Sequence, residues 1–331
     1  MSFVTQGVER KVISILTVLK DAQGPLGARV IAQRLKNHGV ELGERAVRYH
    51  LKLMDERGLT KLVGRRDGRT LTKQGSEEIT SALVSDKVGF AISRIELLAF
   101  RTDFNLEQKV GLIPVNISLF PKKKFSKALQ VMKPTFKNGL HVSKLVSMAQ
   151  EGERLGEFIV PKGKIGLATV CSILINGVLL KAGVPINSRF GGIIQIRDYQ
   201  PIRFVELIHY AGSSMDPSEI FIRAKMTSVV KVAQKGNGNI LANFREIPSL
   251  CRQTAEEVIT KLKEAEIEGL LIMGNTSEPV CEMPVEQNRI GMILIGGLNP
   301  IAAAEEAGID VENHAMSTIM EYNNLIKVEE L

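Results

Sequence analysis

The chain has 331 residues, 44% of them hydrophobic and 24% charged, with a net charge of +7, a balance that belongs to a folded protein of two or more domains rather than a disordered one. No stretch approaches the roughly 18 uninterrupted apolar residues of a membrane span, and the N-terminal MSFVTQGVERK lacks the apolar core of a secretion signal. The three cysteines, Cys171, Cys251 and Cys281, form no C-x-x-C pair, which argues against a disulfide framework or a zinc knuckle and for a reducing cytoplasm.

The charge is unevenly placed. Residues 1–84 hold 15 Lys and Arg against 9 Asp and Glu, whereas the remainder holds 28 against 27. A small basic module joined to a large near-neutral one is the footprint of a nucleic-acid reader carrying a sensor.

In chain order, an apolar stripe of Val8, Val12, Ile15, Leu16 and Leu19 at helical spacing predicts a first helix. A second follows in ARVIAQRLKNHG, with Val30, Ile31 and Leu35 inward and Gly39 as its stop. The third, GERAVRYHLKLMDERG, buries Val47, Leu51 and Met54. On the outward face, at i, i+3, i+4, i+7, it sets Arg45, Arg48, Tyr49 and Lys52. His50 lies between the faces and reads as a packed residue.

Two short β-prone runs then flank GRRDGR, whose Asp67-Gly68 pair signals a hairpin. Arg65, Arg66 and Arg69 stand at its tip. Lys73-Gln74-Gly75 opens a fourth helix through Ile79 and Leu83. Three helices and a basic hairpin make a winged helix over residues 1–85. Its third helix is expected in the major groove of double-stranded DNA and its wing along the backbone.

Residues 86–110 form a linker with one amphipathic helix, Ile92, Ile95, Leu98 and Ala99 sharing a face, that serves either a dimer interface or docking onto the next core. From 111 to 331 short apolar β runs alternate with helices, an α/β domain. It repeats internally. KIGLATVCSILINGVLLKAGV from Lys164 overlies RIGMILIGGLNPIAAAEEAGI from Arg289 without a gap, matching Gly166 with Gly291 and Gly183 with Gly308. The copies span about 112–200 and 237–325. The expected fold is therefore a multidomain α/β protein: a winged helix-turn-helix, then a duplicated α/β effector-binding domain.

In each copy a strand runs through a turn of small residues into a helix. The first turn holds Thr169, Cys171 and Ser172, the second Gly296, Gly297 and Asn299. Such turns present N–H groups and a positive helix end to an anion, or else allow close strand–helix packing. Two related turns in one symmetric domain favour a ligand cleft. Asn187 and Arg189, in NSRFGG, offer a guanidinium beside two glycines, suited either to a dicarboxylate or to a surface ion pair. No dinucleotide or P-loop signature, metal set or catalytic constellation is present, so neither a cofactor nor an enzyme is expected.

LGARVIAQRL, GERAVRYHLKLMDERGL, RIELLAF, TVCSILINGVLLKAG, SRFGG and GGLNPIAAAEEAG together resemble the archaeal nitrogen-regulatory repressor family (NrpR), also found in some bacteria, over essentially the whole chain. The resemblance implies a repressor of nitrogen-assimilation genes on a palindromic operator, released by 2-oxoglutarate. It implies a C5 dicarboxylate in the cleft, and a homodimer is the expected assembly. Some members carry two sensor domains; this chain carries one, so a second regulatory protein is a possible partner. The competing reading is a metabolite-dependent enzyme or co-regulator with an appended DNA-binding module.

Overall fold

The computed structural model of the chain describes residues 3–20, 22, 24–37, 40–64, 68–81 and 89–331. It divides into two compact units, Met1–Ser93 and Arg94–Leu331.

The small unit consists of α1 (Phe3–Lys20), α2 (Ala28–Asn37), α3 (Glu44–Glu56), the hairpin β1 (Thr60–Gly64) and β2 (Gly68–Leu71), and α4 (Lys73–Ser81). Its core is the predicted one: Val12, Ile15, Leu16 and Leu19 meet Ile31, Leu35, Val47, Leu51 and Met54. Each such side chain withdrawn from water stabilises the unit by about 1.5–3 kcal/mol. Val30 departs from expectation. It points outward at 42% exposure, because the inward arc of so short a helix is filled by Ile31 and Leu35. Gly68, at φ +91, lets the hairpin close onto Leu26, whose carbonyl a Cβ there would strike. Leu26 and Arg69 exchange backbone hydrogen bonds at 2.9 and 3.0 Å, adding a third extended segment to the wing. The side chain of Val8, and Gly39 and Leu83, lie outside the described residues.

The boundary between the units falls inside α5 (Phe90–Arg101), later than residue 85. The stretch expected as a linker is thus divided, and the second half of the helix, burying Ile95, Leu98 and Ala99, belongs to the large unit.

In the large unit the first copy runs β3 (Leu112–Pro121), α6 (Phe125–Lys137), β4 (Leu145–Ala149), a small hairpin β5–β6 (Arg154–Leu155, Phe158–Ile159), β7 (Lys164–Val170), α7 (Ile173–Lys181) and β8 (Asn187–Arg197). β9 (Gln200–His209), α8 (Pro217–Arg223) and α9 (Val229–Lys235) connect it to the second copy. That copy runs β10 (Gly238–Pro248), α10 (Arg252–Glu264), β11 (Leu270–Thr276), β12 (Arg289–Ile295), α11 (Asn299–Glu306) and β13 (Glu312–Glu321), and β14 (Ile326–Lys327) follows.

The strands form two antiparallel five-stranded sheets, β13-β3-β7-β4-β14 and β9-β8-β10-β12-β11. The duplication maps β3, β4 and β7 onto β10, β11 and β12. It also maps β8 onto β13, and here the copies exchange strands: β8 pairs with β10 of the second copy, and β13 with β3 of the first. Each copy completes the other's sheet. The central strands β3, β7, β10 and β12 are almost wholly buried, which explains their near-continuous apolar sequence. α7, apolar on every side, is buried from Ile173 to Leu179. Among the described residues no helix is long and apolar enough to cross a membrane.

Candidate nucleic-acid interface and effector cavity

On α3 the period of 3.6 residues separates two faces. Val47, Leu51 and Met54 are buried, and Arg45, Arg48, Tyr49 and Lys52 are exposed. Tyr49, at 62% exposure, is an aromatic ring that no core claims. Arg48 touches Glu44 one turn earlier, on the surface. His50 is buried, and among the described residues its Nδ1 has no partner. Burial, aided by Lys11, pulls its imidazole below the usual range, as expected of a packed residue rather than a base contact.

The wing departs from expectation at Arg69. Its Nε reaches Asp55 Oδ2 at 2.6 Å, and Asp55 also accepts from Thr60 Oγ1 at 2.6 Å. Arg69 therefore fastens the hairpin to α3 instead of standing at the tip. Arg65, Arg66 and Asp67 lie outside the described residues.

In the large unit the two small-residue turns meet. A Cβ on Gly297 would fall 2.7 Å from Asn116 Nδ2 and 2.8 Å from the carbonyl of Val170. The carbonyl of Gly297 accepts from Thr169 Oγ1 at 3.3 Å. At this junction lies a narrow cavity of about 20 Å³ lined by Cys171, Ser172 and Gly297 together with Asn116, Tyr210, Asp216, Asn243 and Arg245.

Asn116 and Asn243 are counterparts on β3 and β10, and each ties its strand to a neighbouring segment. Asn116 Oδ1 accepts from the Met316 N–H at 3.0 Å, at a bulge in β13 where Met316 has φ +49. Asn243 accepts from the Tyr210 hydroxyl and donates to Ser172 Oγ at 3.3 Å. Arg245 is 1% exposed and donates to Ser172, while its Nε has no partner among the described residues. A buried guanidinium short of one acceptor is costly to the fold. Burial holds it below its ordinary pKa, opposed by Tyr210 and Cys171. Burial also raises Asp216, whose Oδ1 accepts from the Ser218 N–H at 2.8 Å.

Cys171 is buried and its thiol is pushed up to about 12 by loss of water. It is a packing or contact residue with no nucleophilic character at neutral pH.

The other expected effector residues are engaged elsewhere. Arg189 does not line the cavity; its guanidinium is held by Glu246 at 3.0 Å and by Glu286. The geometry supports the ion-pair reading, though not at the surface, since Glu246 is buried. Asn187 stands at the start of β8 opposite Glu246. Asn299 is fully buried and bonds both the N–H and the C=O of Leu241, at 2.9 and 3.0 Å. Gly296 packs against the Leu241 backbone. For these two residues the close-packing reading of the turn holds.

Sequence reasoning missed Arg245, Tyr210 and Asp216. One signal was available: Arg245-Glu246 is a charged pair inside the otherwise uncharged, mostly apolar run NILANFREIP, and buried strands carry charge only for a reason.

Comparison with known proteins agrees with this architecture. Residues 88–327 match the family of NrpR regulatory domains NRD1 and 2, and residues 13–79 match the Ribonuclease R winged-helix domain. The chain is 42% identical to the global nitrogen regulator NrpRI of Methanosarcina mazei over 97% of its own length and 98% of that protein's. It is 31% and 33% identical to the global nitrogen regulators NrpR of Methanococcus maripaludis and Methanocaldococcus jannaschii, spanning 55% and 56% of those longer proteins. A crystal structure of a nitrogen repressor-like protein from Methanococcus jannaschii superposes with a TM-score of 0.61 at 26% identity, over 72% of this chain and 98% of that one. The chain thus belongs to the NrpR family, whose named members are nitrogen regulators and not enzymes.

Proposed function

We propose that the chain is a DNA-binding repressor of nitrogen-assimilation genes, acting as a homodimer on a palindromic operator and released by 2-oxoglutarate. The observation that carries this reading is the union, in one chain, of a winged helix with an outward cationic α3 and a sensor unit whose repeats meet around a buried, incompletely partnered arginine. α3 enters the major groove, where Arg45, Arg48 and Lys52 address bases or phosphates and Tyr49 packs beside them.

The effector site is the cavity at the junction of the turns. Its closed volume of about 20 Å³ has room for one water, so a C5 dicarboxylate enters only as the turns part. Arg245 supplies the charge for one carboxylate and Ser172 and Asn243 the neighbouring hydrogen bonds, with Asp216 close by to set which anion is accepted. Ligand binding and separation of the copies are then one event, which is what a ligand needs in order to bias one arrangement over another.

The test is titration of the purified full chain against nitrogen-gene promoter fragments, with and without 2-oxoglutarate, beside calorimetry of the ligand alone. Specific binding relieved by the ligand supports the reading. Promoter binding indifferent to 2-oxoglutarate, with no heat of ligand binding, would leave a DNA-binding regulator that needs a second regulatory protein for its response.

A further inference from the structure

The duplication supplies an internal comparison of surfaces. The turn and helix that follow β3, residues 122–137, contain six lysines, Lys122, Lys123, Lys124, Lys127, Lys133 and Lys137, and no aspartate or glutamate. The matching segment of the second copy, residues 249–264, carries three basic and three acidic residues. The two segments share one architecture, a 3-10 turn leading into a 13-residue helix. The fold therefore does not require the lysines, and mutual repulsion makes such a cluster unfavourable unless something answers it.

All six lysines are exposed, while Phe125, Ala128, Leu129 and Met132 form the buried side of α6. The turn before β7 extends the patch. The N–H of Lys122 donates to the carbonyl of Gly163 at 3.1 Å, and Pro121 lies opposite Lys164 in the ladder, so Lys162 and Lys164 flank the first lysines. Glu151, on the neighbouring turn, is occupied by the N–H of Gly163 at 2.8 Å. Lysines elsewhere in this unit do pair, Lys261 with Glu107 and Lys327 with Glu266. Among the described residues none of these eight lysines has an ion-pair partner. Without them the large unit carries a net charge of −7, so the patch opposes the sign of its surroundings.

Its chemistry selects the partner. The segment exposes no large apolar or aromatic side chain, whereas protein interfaces are depleted in lysine and rely on aromatic and arginine anchors. Flexible, strongly hydrated ammonium groups in a row suit a regular line of phosphates. The helix alone sets three of them, Lys127 to Lys137, along about 15 Å. We infer that this lysine stripe is a second phosphate-binding surface for double-stranded DNA, carried by the sensor unit and separate from the winged helix. The inference rests on the chain being a DNA-binding protein.

The experiment compares the full-length parent with two charge-matched variants on a mixed-sequence duplex several helical turns long, across a range of salt concentrations. One variant carries Lys122→Gln, Lys123→Gln and Lys124→Gln. The other carries Lys181→Gln, Lys261→Gln and Lys263→Gln, exposed positions on α7 and α10 that remove the same charge elsewhere. The stripe variant is expected to lower the slope of log affinity against log salt by up to about 0.9 for each phosphate it no longer neutralises, and the control to keep the parent's slope. Equal slopes for parent and stripe variant, or equal reductions in both variants, overturn the stripe and leave DNA binding standing. An equal slope together with capture of poly-glutamate by the parent alone would assign the lysines to an acidic protein instead. A parent that binds no duplex at all overturns the DNA-binding reading and the stripe together.

Discussion

Arg245 donates through both terminal nitrogens to a single residue, Ser172: Nη1 to its backbone oxygen at 3.2 Å and Nη2 to its hydroxyl at 3.1 Å. Ser172 stands at the start of α7 in the first copy and Arg245 on β10 of the second, so the guanidinium crosses the seam between the repeats. Its third nitrogen, Nε, faces no acceptor among the described residues.

That unmet donor makes Arg245→Gln the most informative substitution in the sensor. Gln keeps a polar group near Ser172 and removes the charge. A charge-assisted hydrogen bond contributes about 1.5–3 kcal/mol, so 2-oxoglutarate affinity should fall at least tenfold in calorimetry while operator affinity without ligand is retained. Unaltered ligand affinity would move the effector away from this cavity.

On α3, Arg48→Ala and Lys52→Ala should each weaken operator binding by about 1–3 kcal/mol if the residue contacts a base. Thermal stability should barely move. The surface contact between Arg48 and Glu44 is of the i, i+4 kind that contributes only about 0.3–0.5 kcal/mol. Normal operator affinity in both variants, measured by fluorescence anisotropy at moderate salt, would take α3 out of the groove.

Arg69 should behave differently from a phosphate-binding residue. Because it joins the wing to Asp55, Arg69→Ala is expected to destabilise the small unit by about 1–2 kcal/mol and to loosen the hairpin, as seen in amide exchange of residues 60–71. A fall in the salt slope of DNA binding with stability intact would show that the Asp55 contact yields to phosphate.

Protonation of His141 should set part of the acid limit of stability. The ring is buried, lies 5.6 Å from the ring of Phe136, and neither nitrogen has a partner among the described residues. Burial, the main cause, holds its pKa below the ordinary value near 6.5. The unfolded chain therefore binds the proton more readily, and the stabilising contribution of the neutral ring, complete above about 6.5, is lost as pH falls below it. Urea unfolding should show a decline of up to about 1.4 kcal/mol per pH unit from this one group. His141→Leu should flatten it, and an identical decline in that variant would exonerate His141.

For the switch as a whole, 2-oxoglutarate is expected to lower operator affinity by a coupling of about 1–3 kcal/mol, and operator DNA to weaken ligand binding by the same factor, since linkage is reciprocal. Both halves of that cycle can be measured. A ligand that binds tightly yet leaves operator affinity unchanged would sink the coupling.

Much of this was legible in the sequence, for reasons that can be named. The two faces of α3 follow from helical period alone, and Tyr49 and Val47 fell where that period put them. The repeat was visible because β7, β12 and the helices after them kept residue types at one spacing. Val30 went astray because a ten-residue helix has room for few inward positions. Arg189 and Arg245 show where local reading stops. Each is an arginine on a strand in the same sheet, and flanking glycines singled out Arg189. Only the pairing of β8 with β10 puts Glu246 against Arg189 and leaves Arg245 facing Ser172. Register between distant strands decides such partners, and no window of sequence contains it.

The reciprocal placement of β8 and β13 also bears on where the unit came from. A lone copy would have its last strand unmatched and a gap in its sheet of the same shape, and a second identical copy fills both at once. That is a closed two-fold dimer made by domain swapping, which needs no new surface to be invented. Fusing two such chains end to end preserves every strand pairing while freeing each half to diverge. Arg245 and Ser118 occupy matching places on β10 and β3, and the turn and helix α6 carry only lysine charge where the matching turn and α10 balance basic with acidic residues. A single gene encoding a symmetric dimer must put any new residue in both places; the fused chain can put it in one.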